Sequence, residues 1–253
     1  MFSEERQQKI SEMLQGKSSL KVNELATIFE VSESTIRRDL TEMEDDGLLS
    51  RIHGGAVCFN RTSFEPSFKD KEDEKKFEKN LVGKKAASMI ENGDTLILDS
   101  GTTTLEIAKN ITASGIIVIT NSIDIAAILS DKENIELIVT GGTLRVTTRA
   151  MVGNIAEKNL QNFRVDKAFI GANGISISDG ITTPNLIEAQ TKKAMMSVAD
   201  KVIIVADSSK FNKVSFAVIC PIKHVSSIIT SSDLNKEIQK EYENYGVEII
   251  LDE

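Results

Sequence analysis

Cysteine, histidine and long apolar runs are scarce in this chain. Its two cysteines, Cys58 and Cys220, have no CxxC spacing and sit in apolar surroundings. They are expected as small buried side chains in a reducing compartment, with no disulfide framework. The two histidines, His53 and His224, lie far apart without ligand-like neighbours. Neither a metal site nor a resident cofactor is therefore expected. No apolar run approaches the roughly 20 residues of a membrane span. The opening "MFSEERQQKI" is charged from Glu4 onward and lacks the apolar core of a signal peptide. The expected location is cytoplasmic, away from membranes. Thirty Lys and Arg face 38 Asp and Glu, a net charge of -8. That excess of acid argues against indiscriminate binding to polyanions and leaves room for a local basic face.

What is present falls into three regions. From Phe2 to about Val57 the apolar spacing is helical. Ile10, Met13 and Leu14 recur at i, i+3 and i+4, as do Val22, Leu25, Ala26 and Phe29, then Ile36, Leu40 and Met43. Ser32 suits an N-cap for the third helix and Gly47 a terminator. "LLSRIHGGAV" then alternates like a small hairpin or wing. Residues 58–78 read as a linker that becomes a connecting helix over about 69–90, its mixed charges forming a solvated face. From residue 79 to 253, β-branched runs alternate with helical stretches. This predicts an α/β domain with a mostly parallel sheet covered on both faces.

The first region has the parts of a winged helix-turn-helix. Such a motif drives the start of its second helix into the major groove. Ser32, Ser34 and Thr35 place hydroxyls at that start, suited to phosphates, while Arg37 and Arg38 can reach base edges. Arg51 and His53 in the wing can reach the neighbouring backbone. Asp39 is expected to pair with an arginine or to face the first helix. Over residues 1–57, seven Lys and Arg meet eleven Asp and Glu. Affinity for double-stranded DNA must therefore come from local placement of charge.

In the second domain, ligands are expected at the carboxyl ends of the strands. "LDSGTTTLEIAKNI" is strand, glycine loop, helix. It offers Asp99, the flexible Gly101 and the hydroxyls of Thr102, Thr103 and Thr104 at a helix N-terminus, where an anion is favoured. The GK[ST] of a nucleotide P-loop is missing, so a phosphate monoester fits better than a triphosphate. Asn173 and Lys210 follow other strands, and Lys210 offers a compact cation.

These residues carry a resemblance. Arg6, Ile10, Leu14, "TIRRDL" at 35–40, Gly47, Leu49 and "RIHGGA" at 51–56 resemble the DeoR family of bacterial repressors. Downstream, "DSGTTT", "TNS", "DKAFIGANGI" and "ADSSKF" look like that family's sensor domain. The resemblance implies a sensor with a ribose-5-phosphate isomerase-like fold. It brings Glu188 near the place where such isomerases keep their catalytic base. Their acidic residues at "GANG" are replaced here, with neutral Asn173, and their lysine-glycine loop gives way to "SDGITTPN". No catalytic residue is therefore assigned, and Glu188 is expected either to accept sugar hydroxyls or to lie on a helix surface.

The leading expectation is a repressor of a sugar-utilisation operon, released from its operator by a phosphorylated sugar. "GITTPN" and "DSSKFNKVSFA" incline toward fructose or a related hexose phosphate. The alternatives are a sugar-phosphate isomerase with a DNA-binding head and a module that only oligomerises. A homodimer or tetramer is expected, built through the sensor, since so small a head reads DNA best in pairs.

Overall fold

The computed structural model describes residues 2–16, 19–46, 48–52, 54–58, 62 and 65–252. The chain divides into two compact units between Pro66 and Ser67.

The first unit contains α1 (Ser3–Gly16), β1 (Ser19–Lys21), α2 (Val22–Phe29), α3 (Glu33–Asp45), β2 (Leu49–Ile52) and β3 (Gly55–Cys58). The periodic residues Ile10, Leu25, Ile36, Leu40 and Met43 form its core. Glu30, in the left-handed region at φ 54°, ends α2. Ser32 then caps α3, its hydroxyl accepting from the Thr35 N–H at 3.2 Å. The wing is the antiparallel sheet β1-β3-β2. Gly55 lets β3 approach β1, because a Cβ there would lie 2.1 Å from the Leu20 carbonyl oxygen. Asp39 both pairs with an arginine and faces the first helix. Its carboxylate accepts from Arg6 Nε at 2.7 Å and from the Ser3 hydroxyl at 2.5 Å. Gly47, His53 and the side chain of Cys58 lie outside the described residues.

The second unit opens with α4 (Phe68–Asp73) and α5 (Lys76–Ser88). The continuous helix expected over 69–90 is thus two helices. Glu74 is extended and Lys75 takes the left-handed conformation at φ 53°. Lys79 is not on a solvated face but buried, its ammonium donating to the Lys71 carbonyl oxygen of α4. The linker expected at 58–78 contains the division between the units, and α4 belongs to the second.

There follow β4 (Thr95–Leu98), α6 (Thr102–Asn110), β5 (Ile116–Thr120), α7 (Ile123–Ser130) and β6 (Ile135–Val139). A hairpin of β7 (Thr143–Arg145) and β8 (Ala150–Val152) leads to α8 (Asn154–Leu160) and β9 (Val165–Gly171). Next come β10 (Gly174–Ser176), β11 (Gly180–Thr183), α9 (Leu186–Ser197), β12 (Ala199–Val205) and β13 (Ala217–Cys220). The last elements are β14 (Ser227–Thr230), α10 (Lys236–Asn244) and β15 (Glu248–Leu251).

Seven strands form one parallel sheet in the order β15-β14-β12-β9-β4-β5-β6. Each strand alternates between two apolar layers. Leu96 and Leu98 pack with Val82, Leu105 and Ile125 of α5, α6 and α7. Ile97, Ile170 and Ile204 pack with Leu160, Ala189 and Tyr242 of α8, α9 and α10. Two small antiparallel sheets, β7-β8 and β10-β11-β13, stand beside it. Cys220 is buried, and burial pushes its thiol up to about 11, which leaves it inert at neutral pH. Among the described residues no helix is long and apolar enough to cross a membrane.

From β4 the chain winds outward through β5 to β6, then returns to the other side of β4 to place β9. The winding direction reverses between β4 and β9, and a crevice at the carboxyl ends of strands is expected at such a reversal.

Candidate functional site

The sequence-predicted residues lie in two regions, one in each unit. On α3, Ile36, Asp39, Leu40 and Met43 point inward, which turns Ser34, Arg37, Arg38 and Thr41 outward at i, i+3, i+4 and i+7. The hydroxyls of Ser34 and Thr35 lie 2.7 and 2.8 Å from that of Ser32. Arg37 pairs with Glu33 at 3.0 Å, and Arg38, 82% exposed, pairs with Glu42 at 3.2 Å. Arg51 of the wing donates to the Thr41 hydroxyl at 2.7 Å. Strand β2 thereby joins the α3 stripe, and Thr41 is a member that the motif did not single out. Exposed i,i+4 pairs hold only about 0.3–0.5 kcal/mol, so these arginines can exchange a carboxylate for a phosphate at little cost.

In the second unit, the β4/β9 reversal holds Asp99. Its carboxylate is completely buried. One oxygen, Oδ2, accepts from the Gly171 N–H at 3.0 Å and from the Lys192 ammonium of α9. Lys192 also donates to the Gly171 carbonyl oxygen at 3.1 Å. The other oxygen, Oδ1, is buried without a partner among the described residues. Just beyond it, Gly101 leads into α6. The first N–H of that helix to find an acceptor is that of Leu105, on the Gly101 carbonyl at 2.9 Å. The N–H groups of Thr102, Thr103 and Thr104 have none among the described residues. The Thr104 hydroxyl braces the loop itself, donating to the Asp99 carbonyl at 2.5 Å. Those of Thr102 and Thr103 remain available. The Asn121 Oδ1 accepts from the Ser100 N–H at 2.9 Å and fixes the same loop from β5.

Asn173 follows β9, where its Oδ1 accepts from the Thr183 hydroxyl at 3.1 Å. Glu188 is buried, not on a helix surface. Its carboxylate is held by Arg145 at 2.9 Å and by the Thr148 hydroxyl, both from the β7-β8 hairpin. Lys210 stands after β12 in a single 3-10 turn, with its ammonium 3.8 Å from Asp207. Burial disfavours the Asp207 charge. Lys210, the Ser209 hydroxyl and Lys79 outweigh it and hold that carboxyl below its usual range. For Lys79, burial dominates and brings the ammonium down to about 8.

Four of these groups escaped sequence reasoning. Lys192 is the side chain that α9 delivers to the reversal, one turn past Glu188. The i,i+4 spacing of the two residues was the available signal. Arg145 and Thr148 come from a hairpin too short to be seen as strands, and Lys79 was hidden in a charge run.

Comparison with known proteins agrees with this division. Residues 6–62 match the family model of the DeoR-like helix-turn-helix domain, and residues 74–232 match that of the DeoR C-terminal sensor domain. The chain is 39% identical to an HTH-type transcriptional regulator, YulB, of Bacillus subtilis, covering 98% of this chain and 96% of that one. It is 38% identical to a putative aga operon transcriptional repressor of Escherichia coli O157:H7, covering 98% and 93%. Among solved structures, the ribose 5-phosphate isomerase A of Methanocaldococcus jannaschii aligns over 55% of each chain at 18% identity and a TM-score of 0.40. That likeness is too slight to carry a function.

Proposed function

The chain belongs to the DeoR family of DNA-binding transcriptional regulators and repressors, and on that footing we propose that it represses a sugar-utilisation operon until a phosphorylated sugar binds its second unit. One observation carries the ligand half of this reading. At the sheet's reversal, three unmatched helix N–H groups stand beside a buried carboxylate with one oxygen unpartnered. N–H groups at a helix start favour an anion. A buried acceptor without a donor costs about 1–3 kcal/mol, which a ligand hydroxyl would relieve. Phosphate and hydroxyl together describe a phosphorylated sugar. Thr102 and Thr103 would take the phosphate with those N–H groups, Lys210 would supply a cation at the same sheet edge, and Asp99 and Asn173 would meet hydroxyls. Glu188, committed to Arg145 and Thr148, would shape the wall. Hexose phosphates, fructose phosphates first, are the ligands to try.

On the DNA side, Ser32, Ser34, Thr35, Arg37, Arg38 and Arg51 would face the operator, with His53 beside them in the wing. Two heads on two half-sites would bind best, so the working form would be a homodimer or a tetramer. Release requires that the sugar phosphate prefer the weak-binding state. A hundredfold release corresponds to about 2.7 kcal/mol of coupling.

The test is a melting-temperature panel of aldose and ketose phosphates against inorganic phosphate, followed by operator titrations with the best ligand. Some phosphorylated sugars should raise the melting point well beyond phosphate alone. Lys210→Ala should weaken that ligand by about 1.5–3 kcal/mol, roughly tenfold to a hundredfold. A mutant that lets go of operator at the wild-type ligand concentration would remove Lys210 from the site.

A further inference from the structure

We propose that α4 is the relay by which ligand occupancy in the second unit reaches the DNA-reading head, gripped by the β7-β8 hairpin at its start and by Lys79 at its end. The proposal rests on the ligand reading above. Helix α4 begins at Phe68, two residues past Pro66, where the first unit ends. Helix α4 is therefore the first element of the second unit that the chain reaches from the head.

Two elements of the proposed ligand site and the neighbouring Lys79 of α5 each hold one point of this helix. At its start, the Phe68 N–H donates to the Thr147 carbonyl oxygen at 2.7 Å. Thr147 lies between Arg145 and Thr148 in sequence, the two residues that grip Glu188. Along its length, the Phe68 ring is buried in the same apolar cluster as Leu105 and Ile107 of α6, the helix that opens with Thr102, Thr103 and Thr104. Toward its end, the Lys71 carbonyl oxygen accepts from the buried Lys79 ammonium. That ammonium lies in the field of Asp207 and Lys210.

A helix of six residues does not hold its place by its own hydrogen bonds. Besides the bond from the Lys71 N–H to the Ser67 carbonyl oxygen at 3.0 Å, it is braced by the capping box of Ser67 and Asp70. There the Ser67 hydroxyl donates to the Asp70 carboxylate at 2.6 Å, and that carboxylate accepts from the Ser67 N–H at 3.1 Å. Among the described residues, the three grips also hold α4 in position. An anion arriving beside Lys210 attracts the Lys79 ammonium and loosens its hold on Lys71. A ligand that draws on the Glu188 carboxylate would loosen its hold on Arg145 and Thr148 and so shift Thr147 between them. Both act on one short element, which can answer with a change of position. Coupling between sites requires such an element, one that both sites bias.

The experiment uses the full chain and separates ligand binding from operator release. The double variant Ser67→Ala with Asp70→Ala removes the capping box and touches neither the ligand residues nor the head. Calorimetry with a hexose phosphate measures binding, and fluorescence anisotropy measures operator affinity with and without it. The variant should bind the ligand within about threefold of wild type, while the ligand-dependent change in operator affinity shrinks by about fivefold or more. Unchanged release by a ligand-bound variant overturns the relay. So does a variant that no longer binds the ligand, because α4 would then be part of the site. Should the variant not fold, hydrogen exchange on the wild type decides. The amides of Phe68 to Asp73 should change protection when ligand is added, and no change overturns the proposal. A wild type that binds neither hexose phosphate nor inorganic phosphate fails the ligand reading itself, and the relay falls with it.

Discussion

The two units hold their charges in opposite ways. On the proposed DNA face, Arg37 and Arg38 sit in single-turn pairs with both partners in solvent. At the sheet's reversal, Lys192 and Asp99 are 6% and 0% exposed and meet across 93 residues of sequence. The first arrangement keeps cations loosely occupied and ready for phosphate. The second fixes a carboxylate in place, so that a ligand finds its partner already oriented. Among the described residues the head contains one pair of the second kind, Arg6 with Asp39, and it joins α1 to α3 on the inward face of α3. Burial of an ion pair thus marks where geometry must not move, and exposure of one marks where partners are to be exchanged.

The largest test of that contrast is Asp99→Ala. It leaves the Lys192 ammonium buried with only the Gly171 carbonyl oxygen as acceptor. Removing one member of a buried pair costs about 3–5 kcal/mol. Urea denaturation should show a loss of that order in the second unit. A loss below about 1 kcal/mol, the range of surface pairs, would erase the distinction.

Next in size is Lys79, a buried cation with no carboxylate in hydrogen-bond contact among the described residues. Its ammonium is brought down to about 8 from an ordinary 10.5, chiefly by burial. Between those values the unfolded chain keeps the proton and the folded chain has lost it. Stability contributed by this group therefore rises as pH climbs from about 8 to about 10.5. Lys79→Met should remove that rise and be the more stable protein at pH 7 by roughly 1–3 kcal/mol. Melting curves of both proteins across the window check it. A parallel pH dependence in the two would mean that Lys79 is charged and compensated when folded.

Arg38→Ala sits at the other pole. It should weaken operator binding by about 1–3 kcal/mol and relax specificity at one base position. Its thermal stability should stay within about 0.5 kcal/mol of wild type, as a surface change does. Anisotropy titrations paired with melting curves measure both, and unchanged operator affinity would move the reading helix elsewhere.

The same contrast explains what could be read from the sequence. The head was legible because its logic is local. Apolar residues at i, i+3 and i+4 gave its helices, Ser32 its cap, and Asp39 its inward turn toward α1. The parallel sheet and the GTTT loop were legible because continuous β-branched runs and a glycine before threonines are also local signals. The charge partners of the sensor were not. Glu188 and Lys192 lie on one face of α9, and nothing in their spacing says which of them reaches β4. Arg145 meets Glu188 from 43 residues away, on a strand of three residues. The burial of Lys79 was not legible, because it looks like every other lysine in its run. Only the burial of its ammonium distinguishes it.

The smallest expected effect is the sharpest probe of the head. Glu33 opens α3, where a carboxylate favours the helix dipole, and it holds Arg37 at 3.0 Å. Each contribution is a few tenths of a kcal/mol at an exposed site, so Glu33→Gln should lower stability by about 0.5 kcal/mol at most. On DNA the same carboxylate acts the other way. It stands at the helix end proposed to enter the groove, repels phosphate and occupies an arginine. Removing it frees Arg37 and takes away one negative charge. Operator affinity should rise about twofold to threefold, equivalent to roughly 0.5 kcal/mol, and fall more steeply with salt, by up to about one unit of slope on logarithmic axes. The measurement is a set of anisotropy titrations at several salt concentrations. A rise in affinity with a steeper slope supports the view that the head's acids only restrain its cations. Weaker binding with a loss of preference at one base pair would say otherwise. Glu33 would then accept a hydrogen bond from a cytosine amino group, as carboxylates can in the major groove, and the loosely held pair would be a reading pair.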